Sequence, residues 1–366
     1  MRYSNRREFN QGDDSGISRR KFLCALSALA AARSLLADEG ASRPRLGICT
    51  FSCHQHWKAI GAKHDGVKFT DALSFYRYAR ELGAQGVQTP LRIADVAVAR
   101  AMRELVATTG GYYEGELRLP KNENDLPAFE TDVTRACEAG ATVARAVFTN
   151  NRRYEFFKTL ADFRAFHTQA GQALKLVEPV LRKHRLKIAI ENHKDHTADE
   201  LAGLMRTVGS EWIGVLVDTG NNIALLDDPY AVVETLAPFA LSVHLKDMAV
   251  QSDAAGFLLS EVPLGTGMLD LPRMIAALRK ANPGIVFNLE MATRDPLRVP
   301  CLTDGFFATF PERKASHLDA ALRLVKSNPL KQPPPAVSGK EAAKILAEEE
   351  INNRQGLGWM DKNIIV

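Results

Sequence analysis

Four apolar runs in this chain stop at groups that can do chemistry. "KIAIEN" (187–192) ends at Glu191, and "GVLVDT" (214–219) ends at Asp218. "LSVHLKD" (241–247) carries His244 and Lys246, and "IVFNLEM" (285–291) carries Glu290. A carboxylate at the mouth of a buried strand is costly unless something pairs with it. Three carboxylates and an imidazole converging on one pocket would repel and desolvate each other. A divalent cation supplies the charge they lack. Oxygen-rich donors with one nitrogen suit Mn²⁺ first, then Mg²⁺, Co²⁺ or Fe²⁺, better than a structural zinc site.

Convergence requires elements that bring the four run ends to one rim. Four earlier apolar runs, "LGICTF" (46–51), "QGVQTP" (85–90), "GYYEGEL" (111–117) and "TVARAVF" (142–148), precede those quoted above. Amphipathic stretches separate them. "TDALSFYRYARELG" (70–83) has Thr70 or Asp71 as its cap and Gly83 as its stop. Residues 152–185 read as one long helical region. Strands apolar nearly throughout, alternating strictly with helices, predict a parallel α/β fold. Eight such units predict a (β/α)₈ TIM barrel over residues 38–328, whose strand C-termini share one face. An open doubly wound sheet is the rival, but "CTFSCHQHW" (49–57) lacks the glycine-rich phosphate loop it would need.

Further residues fall near the same rim. His193 stands two after Glu191 and could bind substrate or serve a structural hydrogen bond. His54 and His56 follow strand one. Lys246 shares a strand face with His244 and could stabilise an oxyanion or pair with Asp247. Glu114 and Glu116 share one face of strand three, where one could hydrogen-bond hydroxyls. Arg294 opens a long irregular segment containing Phe306, Phe307 and Phe310, which reads as a lid or a subunit contact in a homo-oligomer.

"IAIENH", "VLVDTGN", "VHLKD" and "LEM" stand in the order and spacing of the xylose-isomerase-like TIM-barrel superfamily, which the chain resembles over roughly residues 44–328. This sugar phosphate isomerase/epimerase group also holds ketose 3-epimerases, inosose dehydratases and endonuclease IV. The resemblance implies one bound divalent metal, with Glu191, Asp218, His244 and Glu290 at the ligand positions. It also implies that Glu191 and Glu290 flank the substrate as an acid/base pair; Lys246, from its place on the strand face of His244, is a third catalytic candidate. His193, His54, Glu114, Asn221 and Arg294 are the substrate-binding candidates. The expected function is a sugar isomerase or epimerase that removes a proton next to a carbonyl through an enediolate. A keto-sugar or 3-keto-glycoside lyase or hydratase is the alternative, and a non-catalytic sugar-binding barrel is a third reading. Strands two and three lack the histidines of the three-metal endonuclease. Asn221 replaces a histidine found in both that enzyme and the 3-epimerases, and Lys246 stands near where the 3-epimerases carry arginine.

Bulk properties fit a small-molecule enzyme. The chain has 366 residues, 46% hydrophobic and 25% charged. Residues 1–37 hold seven basic and three acidic residues, which accounts for the whole net charge of +4. A neutral remainder gives nucleic-acid binding no electrostatic support. Within "SRRKFLCALSALAAARSLLADEG" (18–40), Arg19, Arg20 and a short apolar stretch resemble a twin-arginine signal; an amphipathic helix is the other reading. A signal implies a periplasmic or otherwise extracytoplasmic mature protein, with no membrane span. The five cysteines form no C-x-x-C pair, which excludes zinc ribbons and redox motifs and predicts mostly buried free thiols. Beyond residue 328, "PLKQPPPAVSG" reads as a stiff linker. Ser338 with Glu341 suggests a capping box opening a short C-terminal helical extension within residues 329–366, packed on the barrel or on another subunit.

Overall fold

A computed structural model describes residues 45–91, 96–330 and 333–364 of the chain. The twin-arginine-type segment and Cys24 lie outside the described residues. In chain order, β1 (Leu46–Cys49), β2 (Gly86–Gln88), β3 (Tyr112–Glu116) and β4 (Val143–Ala146) are followed by β5 (Lys187–Glu191), β6 (Ile213–Asp218) and β7 (Ala240–Leu245). An antiparallel hairpin, β8 (Asp247–Asp253) and β9 (Gly256–Val262), then interrupts the alternation. β10 (Phe287–Leu289) closes the ring between β7 and β1, giving a parallel eight-stranded barrel. β11 (Leu297–Val299) adds a third strand to the hairpin sheet.

The hairpin is the main departure from the expected β–α alternation. "DMAVQSD" and "GFLLSEV" pair around a tight turn, and the helix that follows β7 is delayed until after them.

The helices obey their local signals. α1 (His54–Gly61) follows β1. In α2 (Ala72–Leu82), Asp71 forms a capping box with Ser74, and Gly83 ends the helix at φ 102°, a left-handed conformation that glycine adopts without strain. α3 (Val96–Thr109) and α4 (Leu126–Glu138) precede β3 and β4 in the ring. The region expected as one long helix is two: α5 (Arg153–Phe156) stops, and α6 (Leu160–His184) restarts from a second capping box between Thr159 and Asp162. That box satisfies the donors of a new helix start, so continuous helical pattern was no guarantee of a continuous helix. α7 (Ala198–Val208), α8 (Pro229–Leu236), α9 (Leu271–Ala281) and α10 (Arg313–Ser327) complete the outer ring.

α11 (Ala342–Asn363) is longer than expected and lies against α1, β1 and β10. It begins without the expected box, because Ser338 is bound elsewhere: its hydroxyl and backbone N–H both donate to Asp295. The buried Glu349 of α11 accepts from the backbone N–H groups of Gln55 and His56, at 2.8 and 3.1 Å. Both belong to the first turn of α1, where the helix dipole favours a negative charge.

The barrel interior explains two glycines. Gly47, Gly86 and Tyr112 are in register across β1, β2 and β3. A Cβ at Gly47 would sit 1.8 Å from the Tyr112 hydroxyl, so the missing side chains make room for that ring. Cys49, Cys53 and Cys301 are buried free thiols and Cys137 is a half-buried one.

Candidate active site

β6 and β7 are paired so that Asp218 is in register with His244. Glu191 ends β5, and Glu290 follows β10, next to β7 in the ring. All four side chains are buried, and one donor atom from each can be chosen so that all lie within 4.8 Å of one another. Three donors, Asp218 Oδ2, His244 Nδ1 and Glu290 Oε2, make no well-directed hydrogen bond. His244 Nδ1 abuts Glu290 Oε2 and lies 3.7 Å from Glu191 Oε2. Metal–oxygen bonds of about 2.1 Å put opposite ligands about 4.2 Å apart. The observed spread therefore needs only small shifts to hold a divalent ion, and carboxylate and imidazole atoms are the donors such an ion takes.

The layer beneath fixes the imidazole. His244 Nε2 lies 2.6 Å from Gln88 Oε1, and Gln88 Nε2 donates to Glu114 Oε2 at 2.8 Å. A carboxylate can only accept here, so the Gln88 amide nitrogen faces Glu114 and its oxygen faces His244. His244 then carries its proton on Nε2 and presents Nδ1 to the cluster. Ser242 and Asn288 also donate to Glu114, at 2.8 and 2.9 Å, and Tyr112 donates to Asn288. Burial raises the Glu114 pKa, and these three donors oppose the rise. Glu114 is thus engaged inside the barrel beneath His244, not at the mouth where it was expected to meet substrate.

Cations surround the carboxylates. Lys246 Nζ is 2.8 Å from Asp218 Oδ2, 3.1 Å from Glu290 Oε1 and 3.3 Å from Asn221 Oδ1. Burial alone would depress the ammonium, but Asp218, Glu290 and Glu261 outweigh it and hold its pKa well above the usual lysine value. Arg145 on β4 donates to Glu191 at 2.5 Å and to Glu116 at 3.2 Å. Burial would raise Glu191, yet Arg145 and His244 bring it down to about 2. Asp218 goes the other way, to about 6, because burial and the charges of Glu290 and Glu191 outweigh Lys246. Around Asp218 the site is short of positive charge.

The remaining expected residues are distributed as follows. Asn221 donates to Glu191 Oε1 at 2.9 Å, and Asp218 Oδ1 accepts from the backbone N–H groups of Gly220 and Asn221. His193 is partly exposed with Nδ1 buried and unpartnered. Burial and the neighbouring Lys194 lower its pKa to about 4, so the ring is neutral near pH 7. Arg294 donates to Glu261 at 3.1 Å and lies over Phe51. His54 stacks on Phe51 at 4.9 Å, with Nδ1 3.1 Å from the Phe51 carbonyl oxygen. His56 is withdrawn from the mouth altogether, 2.7 Å from Glu349.

Sequence reading missed Arg145, Lys194, Glu261 and Gln88. Arg145 had a signal, as an arginine inside the otherwise apolar "TVARAVF". Glu261 had none, because it enters on the unforeseen hairpin.

A closed parallel barrel with a carboxylate–imidazole cluster at the C-terminal ends of its strands has the architecture in which barrel enzymes place their active sites. The chain belongs to the xylose isomerase-like TIM barrel family, whose profile matches residues 76–316. Over 140 residues it is 27% identical to 3-oxo-isoapionate decarboxylase of Pectobacterium atrosepticum, covering 38% of this chain and 50% of that protein. The chain spans about half the length, or less, of the curated relatives it matches. Among solved structures, D-psicose 3-epimerase with D-tagatose from Clostridium cellulolyticum H10 is similar in fold at TM-score 0.57 and 12% identity, covering 88% of this chain and 100% of that one. A xylose isomerase-like TIM barrel protein from Mycobacterium smegmatis in complex with magnesium is similar at TM-score 0.50 and 16% identity, covering 78% of this chain and 98% of that one.

Proposed function

We propose that the protein is a divalent-metal-dependent enzyme that acts on a carbohydrate by moving a proton next to a carbonyl. The observation that carries this reading is the buried set Glu191, Asp218, His244 and Glu290, with one donor atom from each lying within 4.8 Å of the others. These four residues would hold the ion, with Mn²⁺ as the first candidate. When bound, a divalent ion polarises a substrate carbonyl and so acidifies the adjacent C–H bond.

The chain's own groups do the rest. Arg145 keeps Glu191 ionised and ready to accept a proton. Glu290, held well below the usual carboxylate range by Lys246 and His244 against the effect of burial, is the second carboxylate of the pair. One takes the proton and the other returns it. Lys246, 3.1 Å from Glu290, is placed to stabilise negative charge developing on a substrate oxygen. His193 and Asn221 are placed to orient hydroxyls.

Return of the proton gives epimerisation or isomerisation. Loss of a leaving group gives a lyase reaction on the same site. The decarboxylase activity of that relative supports keeping the lyase reading beside the epimerase one.

Incubation with a panel of sugars in D₂O, read by NMR, tests the proposal. The wild-type protein with Mn²⁺ should introduce deuterium at one carbon, and Glu290→Gln should not, with its circular dichroism unchanged. Equal exchange by the variant would remove Glu290 from the mechanism. We further infer export of the mature protein from the paired arginines near the N-terminus. Replacing Arg19 and Arg20 with lysine should retain the precursor in the cytoplasm, and unaltered export would refute that reading.

A further inference from the structure

Lys194 lies in the loop leaving β5 and is only 5% exposed. Its ammonium donates to Asn221 Oδ1, the same oxygen that Lys246 reaches at 3.3 Å. Among the described residues, no carboxylate lies within 4.0 Å of it. The charges that face it are the cations Lys246 and Arg294 and the acids Asp218 and Glu261. Both acids are already engaged, Asp218 by Lys246 at 2.8 Å and Glu261 by Arg294 at 3.1 Å. Among these cations, Lys194 is therefore the one without a carboxylate of its own. A buried ammonium with one amide for a partner carries a desolvation penalty that a methionine there would not.

Across the mouth, five carboxylates meet four cations. Glu116, Glu191, Asp218, Glu261 and Glu290 face Arg145, Lys194, Lys246 and Arg294. With His244 neutral, a divalent ion turns that balance net positive. Hydroxyl groups of a neutral sugar could accept hydrogen bonds from Lys194 but could not match its charge. A carboxylate does both. A phosphate would bring a second charge and further oxygens, for which Lys194 offers too few donors, since the Asn221 N–H groups already serve Glu191 and Asp218.

We propose that Lys194 is a specificity-determining residue that receives a carboxylate of the substrate, so that the enzyme acts on sugar acids and not on neutral sugars. This rests on the site being a metal-dependent carbohydrate enzyme, and it deepens that reading by naming the substrate class. Asn221 holds the ammonium at the mouth, within reach of the reacting centre.

Isothermal titration of the Mn²⁺-loaded protein tests it, using five- and six-carbon aldonates, the alditols of the same stereochemistry, and alditol phosphates. At least one aldonate should bind about tenfold or more tightly than its alditol. Lys194→Met should abolish that preference by weakening aldonate binding far more than alditol binding, with the melting transition still cooperative, and Lys194→Arg should keep part of it. The proposal is overturned if alditols bind as tightly as aldonates, if only phosphates bind, if no aldonate binds, or if the preference survives in Lys194→Met. Deuterium exchange into neutral sugars without any aldonate preference would overturn this inference and leave the proton-transfer reading standing. Aldonate preference without exchange into any sugar or aldonate would do the reverse.

Discussion

The Nε2 atom of His244 and the side-chain oxygen of Gln88 lie 2.6 Å apart, on the side of the imidazole away from the carboxylate cluster. Gln88 thereby sets which nitrogen of His244 is free, although it touches none of the other three cluster residues. Outer partners of this kind typically change metal affinity by about 10–100-fold. Gln88→Leu should lower Mn²⁺ affinity by about that factor, measured by competition with a chelator, while the fold persists. Unchanged affinity would show that His244 is oriented by something else.

Glu349 holds the start of α1 from the far end of the chain. Glu349→Gln keeps the size and loses the charge that faces two backbone N–H groups and His56. Weakening a buried charge-assisted set should cost about 1–3 kcal/mol. Urea unfolding should show that loss, with metal stoichiometry unaltered. A variant as stable as the wild type would reduce the contact to a passive one.

Lys194 gives the metal-free protein a defined pH dependence. Burial and the charges of Lys246 and Arg294 bring its pKa down to about 8, against the pull of Asp218 and Glu261. An unfolded lysine titrates near about 10.4. Between those values the unfolded chain binds more protons, so the Lys194 contribution makes stability rise with pH. The full effect is of the order of 3 kcal/mol. Lys194→Met lacks this contribution, so it should be the more stable protein near about pH 7.5, and the gap should narrow near about pH 9.5. A gap that stays constant would contradict the picture of a buried, unmatched ammonium.

The barrel and its cluster were legible for a local reason. Asp218, His244, Glu191 and Glu290 each break or end an apolar run, and strand register carries them to one rim. What stayed hidden depends on distant partners. Ser338 has the spacing of a cap, but Asp295 takes its hydroxyl, 43 residues away in sequence. Glu114 has the alternation of a mouth residue, but Gln88, Ser242 and Asn288 close around it from three other strands. Lys194 carries no local signal, because the partner its buried ammonium reaches, Asn221, lies 27 residues further on. The β8–β9 hairpin carries Glu261, the binding partner of Arg294, into the site, and its apolar runs are too short to distinguish from loop by pattern alone.

The central claim is that Asp218, with Glu191, His244 and Glu290, holds one divalent ion. Metal analysis of purified protein, dialysed after loading with Mn²⁺, tests it most directly. The wild type should retain about one ion per chain, and Asp218→Ala, folded by circular dichroism, should retain close to none. A folded Asp218→Ala protein that keeps the wild-type stoichiometry would contradict the account.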